Sequence, residues 1–351
     1  MNFRSLKKGF ALVLALILAL SVLALAGCDN AVETTTEPVV TEENATAEAG
    51  TAAATSGEYI SAIKTGTGST TGTYYAFTSA VAQILATDEY SFEVISTGGS
   101  QANIEGIEDG DYDFAIVQND VANYAYTGTN VFTTPITAFS AIGCVYPEVC
   151  QLVATAKSGI TSVADLKGKT VGIGDVGSGT YYNAIQILEA GGLDVENDIK
   201  PVYASFGDSA TQLKDGSLDA AFITAGTPTT AITELATSTD VVIVDLGQEL
   251  IDALIADYPF YAVYDVTSTD YDFVTETVKT VAIMATYIVS NDMATEQVYE
   301  ITKNLWEKQE EIAAVHAKGA EMDKSIAVTA CGDVPLHPGA EQYYKEIGII
   351  A

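Results

Sequence analysis

Residues 64–85 read KTGTGSTTGTYYAFTSAVAQIL, and they set the frame for the rest of the chain. A short strand signal (Tyr59, Ile60, Ala62, Ile63) leads into them. A loop of glycine, serine and threonine runs from Thr65 to Thr73 and ends at two tyrosines, Tyr74 and Tyr75. Beyond it Phe77, Val81, Ile84 and Leu85 recur at helical spacing, so a helix with one apolar face is expected. A strand, a small-residue loop and a helix start together make an anion cradle. The loop lets backbone N–H groups approach a ligand, and the helix start adds unpaired donors and a partial positive charge. GTGSTTG lacks the G-x-G-x-x-G spacing of a dinucleotide fingerprint, and no Gly-Lys-Ser/Thr closes it as in a P-loop. An ordinary strand-to-helix turn is the plain alternative.

The same pattern continues downstream. Ser91 to Thr97 reads as a strand, Gly98-Gly99-Ser100 as a second small-residue loop, and QANIEGIEDG as a short helix ending at Gly110. Asp113 to Asp120 is an apolar run with a polar end, the form of a buried parallel strand that delivers side chains to a cleft. VANYAYTG is expected to be helical up to Gly128, and Ala138 to Thr155 to be one or two strands bent at Pro147. A short helix (162–168) and a strand (170–173) precede the third loop, Gly174 to Thr180, which feeds a helix over 181–190. Strands at 200–203 and 240–246, a helix-to-strand unit ending at Gly226-Thr227-Pro228, and a helix at 229–236 follow. Val281 to Val289 is a long apolar strand, Thr295 to Ala317 the longest helix, and Leu336 to Ile347 closes the chain. The βαβα order makes the fold class α/β with mostly parallel strands. EGIEDGDYDFAIV echoes TQLKDGSLDAAFI, which suggests two similar lobes.

Composition narrows the function. The 351 residues carry 15 Lys+Arg against 47 Asp+Glu, a formal charge of −32. Such a surface repels nucleic acid and anionic lipid. An anionic ligand must then be held by local dipoles against an unfavourable field. Residues 1–27 have the build of a secretory signal peptide: Arg4, Lys7 and Lys8, then an apolar run from Phe10 to Leu25. Their removal takes away those three cations and no acid, so the mature charge is −35. Leu25-Ala26-Gly27-Cys28 resembles a bacterial lipoprotein processing box, which implies cleavage before Cys28 and lipid on its thiol. An uncleaved membrane anchor is the alternative, although the run is short for a span. Residues 28–57 form a Thr-, Ala- and Glu-rich tether with no basic residue, expected to stay disordered and extended.

The combined order resembles a type II periplasmic binding protein. More closely it resembles the receptor subunits of the TAXI class of tripartite ATP-independent periplasmic (TRAP) transporters. The likeness rests on GTGSTTGTYYAF, on STGGSQANIEGIEDGDYDFAIVQNDVANYAYTG, on VYPEVCQLVATAKSGITSVADLKGKTVGIGDVGSGTYYNAIQILEAGGL and on PLHPGAEQYYKEIG. It covers nearly everything from Tyr59 to Ile349. It implies a two-lobe fold with a ligand cleft between the lobes: lobe I from 58–150 and 281–351, lobe II from 151–280. Two crossings are expected near 145–155 and 280–290. The resemblance also implies small organic acids or amino acids, such as glutamate, as ligands, and a membrane permease with ion-coupled uptake as the partner. It implies no cofactor.

The first group of expected ligand-binding residues is Gly68, Thr70, Thr71, Gly72, Thr73, Tyr74 and Tyr75, since hydroxyls and backbone N–H groups bind a carboxylate without formal charge. Thr97, Gly98, Gly99 and Ser100 form a second donor set. Gln118, Asn119 and Asp120 end a buried strand; Asp120 is either a receiver for a ligand ammonium or a helix N-cap. The second lobe supplies Gly177, Ser178, Gly179, Thr180 and Asn183, with Gly226, Thr227 and Pro228 opposite. Lys157, Lys167 and Lys169 read as solvated, and Lys64 is open to either side. Without an arginine clamp, a mono-acid or amino acid suits the site better than a dicarboxylate.

Cys144 and Cys150 are close in sequence, and a disulfide between them is one option, leaving Cys331 as a free thiol. No cysteines and histidines stand at zinc spacing. His337 is expected to shape a turn, and His316 to sit late in the long helix as a cation facing its dipole. Trp306 with Ile301, Leu305 and Ile312 is expected to face the core. No nucleophile elbow, metal set or acid–base pair is recognisable, so binding is favoured over catalysis. A sensor or the receptor of an ATP-driven importer remains the alternative to a TRAP receptor.

Overall fold

Apolar runs and glycine-rich turns alternate as strands and helices in the computed structural model, which describes residues 57–130 and 132–351. The expected signal peptide, Cys28 and all but the last residue of the tether lie outside the described residues. The first half of the chain forms β1 (Ala62–Gly66), α1 (Thr73–Leu85), β2 (Ser91–Ile95), α2 (Ser100–Glu108), β3 (Phe114–Gln118), α3 (Asn119–Thr127) and β4 (Phe139–Thr155). There follow β5 (Thr170–Gly172), α4 (Gly179–Ala190), β6 (Lys200–Val202), α5 (Phe206–Asp215), β7 (Ala220–Ala225), α6 (Thr230–Ala236), β8 (Val241–Ile243), α7 (Gln248–Asp257) and β9 (Ala262–Val266). The chain then runs through β10 (Val278–Ser290), α8 (Thr295–Glu307), α9 (Gln309–Val315), α10 (Lys324–Ala327) and α11 (Pro338–Glu346).

The strands are ordered β2-β1-β3-β10-β4-β7-β5-β6, with β8 beside β4 and β9 beside β10. The order is nearly a palindrome. In one lobe β1 pairs β2 and β3 in parallel, and β10 runs antiparallel against β3. In the other β5 pairs β6 and β7 in parallel, and β4 runs antiparallel against β7. The two long strands, β4 and β10, pair with each other and pass from one lobe to the other. Two register shifts interrupt that pairing, at Ala285/Thr286 and Tyr287/Ile288. Pro147 is accommodated opposite Met284, beside the first shift, and β4 continues through it as one strand. This is the α/β two-lobe architecture expected from the sequence.

Each lobe buries both faces of its sheet. In the first, one face packs Phe77, Val81 and Leu85 of α1 with Tyr287, Ile301, Leu305, Trp306 and Ile312, as the helical spacing predicts. The opposite face packs Ile104 and Ile107 of α2 with Val121 and Ala125 of α3. In the second lobe, Ile187 and Leu188 of α4 with Ile251 and Leu254 of α7 cover one face, and Leu213, Ile232 and Leu235 cover the other. Helices on both faces explain why the central strands read as continuous apolar runs.

Several expectations need correction. Cys144 and Cys150 stand six residues apart on one extended strand, β4, about 20 Å at strand rise, and both thiols are free. Cys144 Sγ lies 3.9 Å from Cys331 Sγ instead. The long helix breaks at Lys308 into α8 and α9, and the Lys308 ammonium donates to the Ile84 carbonyl at the end of α1 (3.2 Å). His316 is not a helical cation. It accepts the Lys318 N–H (3.2 Å), and burial followed by the Lys318 charge moves its imidazole below the usual histidine range. His337 caps α11 by accepting the Gly339 N–H (3.2 Å), and burial pushes its imidazole down to about 4. Among the described residues no helix is long and apolar enough to cross a membrane.

Candidate functional site: a cavity closed between the lobes

Parallel strands of both lobes point their carboxyl ends at the same gap, which is where open α/β sheets place ligands. The loop after β1 contributes Gly68, Ser69, Gly72, Thr73 and Tyr74; the loop after β2, Gly98, Gly99 and Ser100; the end of β3, Gln118. From the second lobe come Asp175, Ser178, Gly179 and Thr180 after β5, Phe206 at the start of α5, and Thr224 and Ala225 at the end of β7. Glu148 of β4 completes the wall. The space within this partly open cavity is about 50 Å³, enough for a few water-sized groups or a small solute.

Direct contacts hold the lobes together around this space. Thr73 Oγ1 donates to the Gly226 carbonyl (2.8 Å), the Gln101 N–H to the Gly177 carbonyl (3.1 Å), and the Ala231 N–H to the Thr71 carbonyl (3.2 Å). Asn183 Nδ2 donates to Asp120 Oδ2 (3.2 Å), and the Tyr182 hydroxyl donates to Gln101. Gly179 brings the lobes into close approach: a Cβ there would stand 2.1 Å from Gln118 Cδ across the gap, so the end of that side chain would have to move.

Of the residues expected from the sequence, Gly68, Gly72, Thr73, Tyr74, Gly98, Gly99, Ser100, Gln118, Ser178, Gly179 and Thr180 line the cavity. Thr70 is exposed, and Tyr75 is half-buried outside the wall. Thr71, Gly177 and Gly226 meet the opposite lobe through backbone groups. Thr97 braces the loops: its hydroxyl donates to Thr67 O (2.9 Å) and Asn103 Oδ1 (2.6 Å) and accepts the Gly99 N–H (3.1 Å). Asn119 ties α3 to its surroundings, donating to the Ala330 carbonyl (2.9 Å) and accepting the Met284 N–H (3.0 Å). Thr227 precedes the cis Pro228 and donates to Asp270 (2.5 Å). Asp120 and Asn183 form an inter-lobe pair beside the cavity wall, and Asp120 sits in the first turn of α3, which Gln118 starts. Lys64 is exposed on β1.

The polar character of the wall is one-sided. Helices α1 and α2 begin at Gly72 and Gly99, and neither start carries a side-chain cap; the Gln101 N–H of α2 is taken by the Gly177 carbonyl, and the other first-turn N–H groups remain for other acceptors. Ser178 caps α4 by accepting the Tyr181 N–H (3.1 Å) while lining the cavity. Glu148 is 1% exposed, and the Tyr74 hydroxyl donates to its Oε2 (2.6 Å). Burial raises its carboxyl well above the usual range, only partly offset by the Tyr74 bond and the more distant Lys318 charge. Asp175 is raised as well, by burial and by the charge of Asp208. Among the described residues no lysine or arginine lines the cavity, and the only arginine of the sequence is Arg4. Gln118 Oε1, Asn183 Oδ1 and Tyr146 Oη are buried without a hydrogen-bond partner. No group of metal-ligating side chains occurs among the described residues.

Ser69, Glu148, Asp175, Phe206, Thr224 and Ala225 were not anticipated from the sequence as site residues. Glu148 had a legible signal: it is the one charged residue in the run FSAIGCVYPEVCQLVAT, where an acid has no structural reason to stand.

The NMT1-like family model matches residues 65–348, and the chain belongs to this family. Its fold is similar to that of the alkanesulfonate-binding protein SsuA from Xanthomonas axonopodis pv. citri bound to MOPS (15% identity, 77% of this chain and 86% of that one, TM-score 0.46). It is also similar to a putative L-cystine ABC transporter protein from Listeria monocytogenes (17%, 76% and 99%, TM-score 0.47). A binding-protein component of an ABC phosphonate transporter from Pseudomonas aeruginosa is a third such structure (15%, 75% and 80%, TM-score 0.47).

Proposed function

We propose that this chain is the extracytoplasmic solute-binding receptor of a transporter, held to the membrane by lipid on Cys28. It captures a small organic acid or amino acid between its lobes and presents the closed form to a membrane permease. The observation that carries this reading is the convergence of three glycine-hydroxyl loops, from both lobes, on one cavity. Uncapped helix starts supply the donors for a carboxylate where cations are absent. The receptor closes on its ligand and returns it unchanged.

Two membrane partners fit. The sequence resemblance favours a TRAP permease. The structural neighbours that serve ABC transporters make an ATP-driven importer the partner to test against it. Reconstitution of uptake with each partner class encoded beside the gene separates them: ATP dependence selects the importer, an ion gradient the TRAP permease.

The central test is a thermal-shift screen of the purified protein with organic acids and amino acids. A ligand at a hundred times its dissociation constant adds about 2.7 kcal/mol of stability, a readily measured shift. A flat response across both classes overturns the receptor reading for them. Release of the protein from membranes on Cys28→Ala tests the anchor.

A further inference from the structure

Glu148 occupies the point where β4 leaves β10 for β7: its neighbour Val149 pairs with Ala282 on one side and Ala225 on the other. A carboxylate at that depth costs several kcal/mol unless it is paired or protonated. Among the described residues no cation pairs it. The base nearest in influence, Lys318, makes its own ion pair with Glu321 (2.6 Å). Tyr74 supplies one neutral hydrogen bond. Asp175 adds a second carboxyl to the wall, and Gln118 presents a buried Oε1 that no donor reaches. One part of the cavity therefore has acceptors in excess of donors, whereas the uncapped starts of α1 and α2 have donors in excess of acceptors.

We propose that the cavity selects a solute carrying a protonated amine together with a carboxylate, and that Glu148 receives the ammonium group. This rests on the receptor reading above and narrows its ligand class from acids in general to zwitterions. An ammonium brings three donors and a positive charge, which answer Glu148 and Gln118 Oε1 together. The solute's carboxylate lies toward the helix starts. A solute with carboxylates alone brings no cation to answer an ionised Glu148.

The test uses matched pairs on the unaltered protein: L-glutamate against glutarate, L-alanine against propanoate, L-leucine against 4-methylpentanoate, each by thermal shift and calorimetric titration. The proposal expects at least one amino acid to bind and its des-amino partner to bind at least about 30-fold more weakly, the factor for truncating one side of a buried charge pair. Glu148→Gln should weaken the amino acid by a similar factor and leave binding of the des-amino partner unchanged or improved. Glu148→Asp, which keeps the charge, should recover part of the loss and guards against a folding defect. A des-amino acid that binds as tightly as its partner overturns the ammonium role while leaving the receptor reading intact. No binding by any member of either series overturns both.

Discussion

Asp120→Asn offers a quantitative check on the inter-lobe contact. Asp120 is 1% exposed and accepts the Val121 N–H (2.8 Å) and Asn183 Nδ2 (3.2 Å). Burial outweighs those bonds and lifts its carboxyl from 3.8 to about 6. Between those values the folded state keeps a proton that the unfolded state has released. Stability from this group is therefore full below pH ~4 and falls as the pH rises through ~6. The displacement corresponds to about 3 kcal/mol lost by pH 7. Asparagine carries no titrating proton and still offers Val121 an acceptor. Calorimetry of both proteins from pH ~4 to ~7 should show the variant gaining on the wild type by about 5 °C in Tm over that range. Glu148 is displaced in the same direction, in part by the charge of Asp120, so the difference between the proteins includes the relief of Glu148 and keeps the same sign. A gap that stays constant, or that shrinks with rising pH, refutes the argument.

Gly179→Ala places a methyl against the end of the Gln118 side chain in the closed form, an overpacking of about 1–3 kcal/mol, so ligand affinity should fall about tenfold or more. Calorimetric titration decides, and an unaltered Kd for Gly179→Ala would mean the lobes do not meet there in the bound state. Trp306→Phe removes the Nε1–H donor to Tyr344 Oη (2.7 Å) and should cost about 1–3 kcal/mol in urea denaturation. Asn103→Ala strips hydrogen bonds from the buried carbonyls of Thr67 (2.7 Å) and Ile116 (2.8 Å), and should lower both Tm and ligand affinity because it supports two of the cavity loops. Iodoacetamide should leave Cys144, Cys150 and Cys331 unmodified in the native protein and reach all three after unfolding with reductant, read by mass spectrometry.

Much of this architecture was legible because period and punctuation agreed. The spacing of Phe77, Val81 and Leu85 gave α1 its buried face, and glycine-rich loops marked three of the strand-to-helix junctions at the cavity. What escaped depended on tertiary partners. The region between β8 and β10 holds α7 and β9, and β9 is largely exposed, so it lacks the apolar run that identifies a central strand. The break at Lys308 is set by a bond to α1, which local propensity does not encode. Asn119 and Asp120 read as the end of a strand but open a helix, because β3 runs into α3 without an intervening loop. Tyr74 and Tyr75 are equivalent by composition; helix phase turned the first to Glu148 and the second away from the wall.

The interleaving of β4 and β10 also has a bearing on how the polypeptide reaches its native state. The sheet holding β5 to β8 closes on β4 within one contiguous span, and its core adds Val281, Ala282 and Ile283 of β10. The sheet begun by β1 to β3 waits for β10, and its core for α8 and α11. The part of the molecule synthesised first is thus finished last, through pairings of high sequence separation. Such pairings are slow to form and leave strand edges open in the interim. A ribosome-stalled chain ending before Val278 should therefore hold a second lobe more resistant to protease than the first.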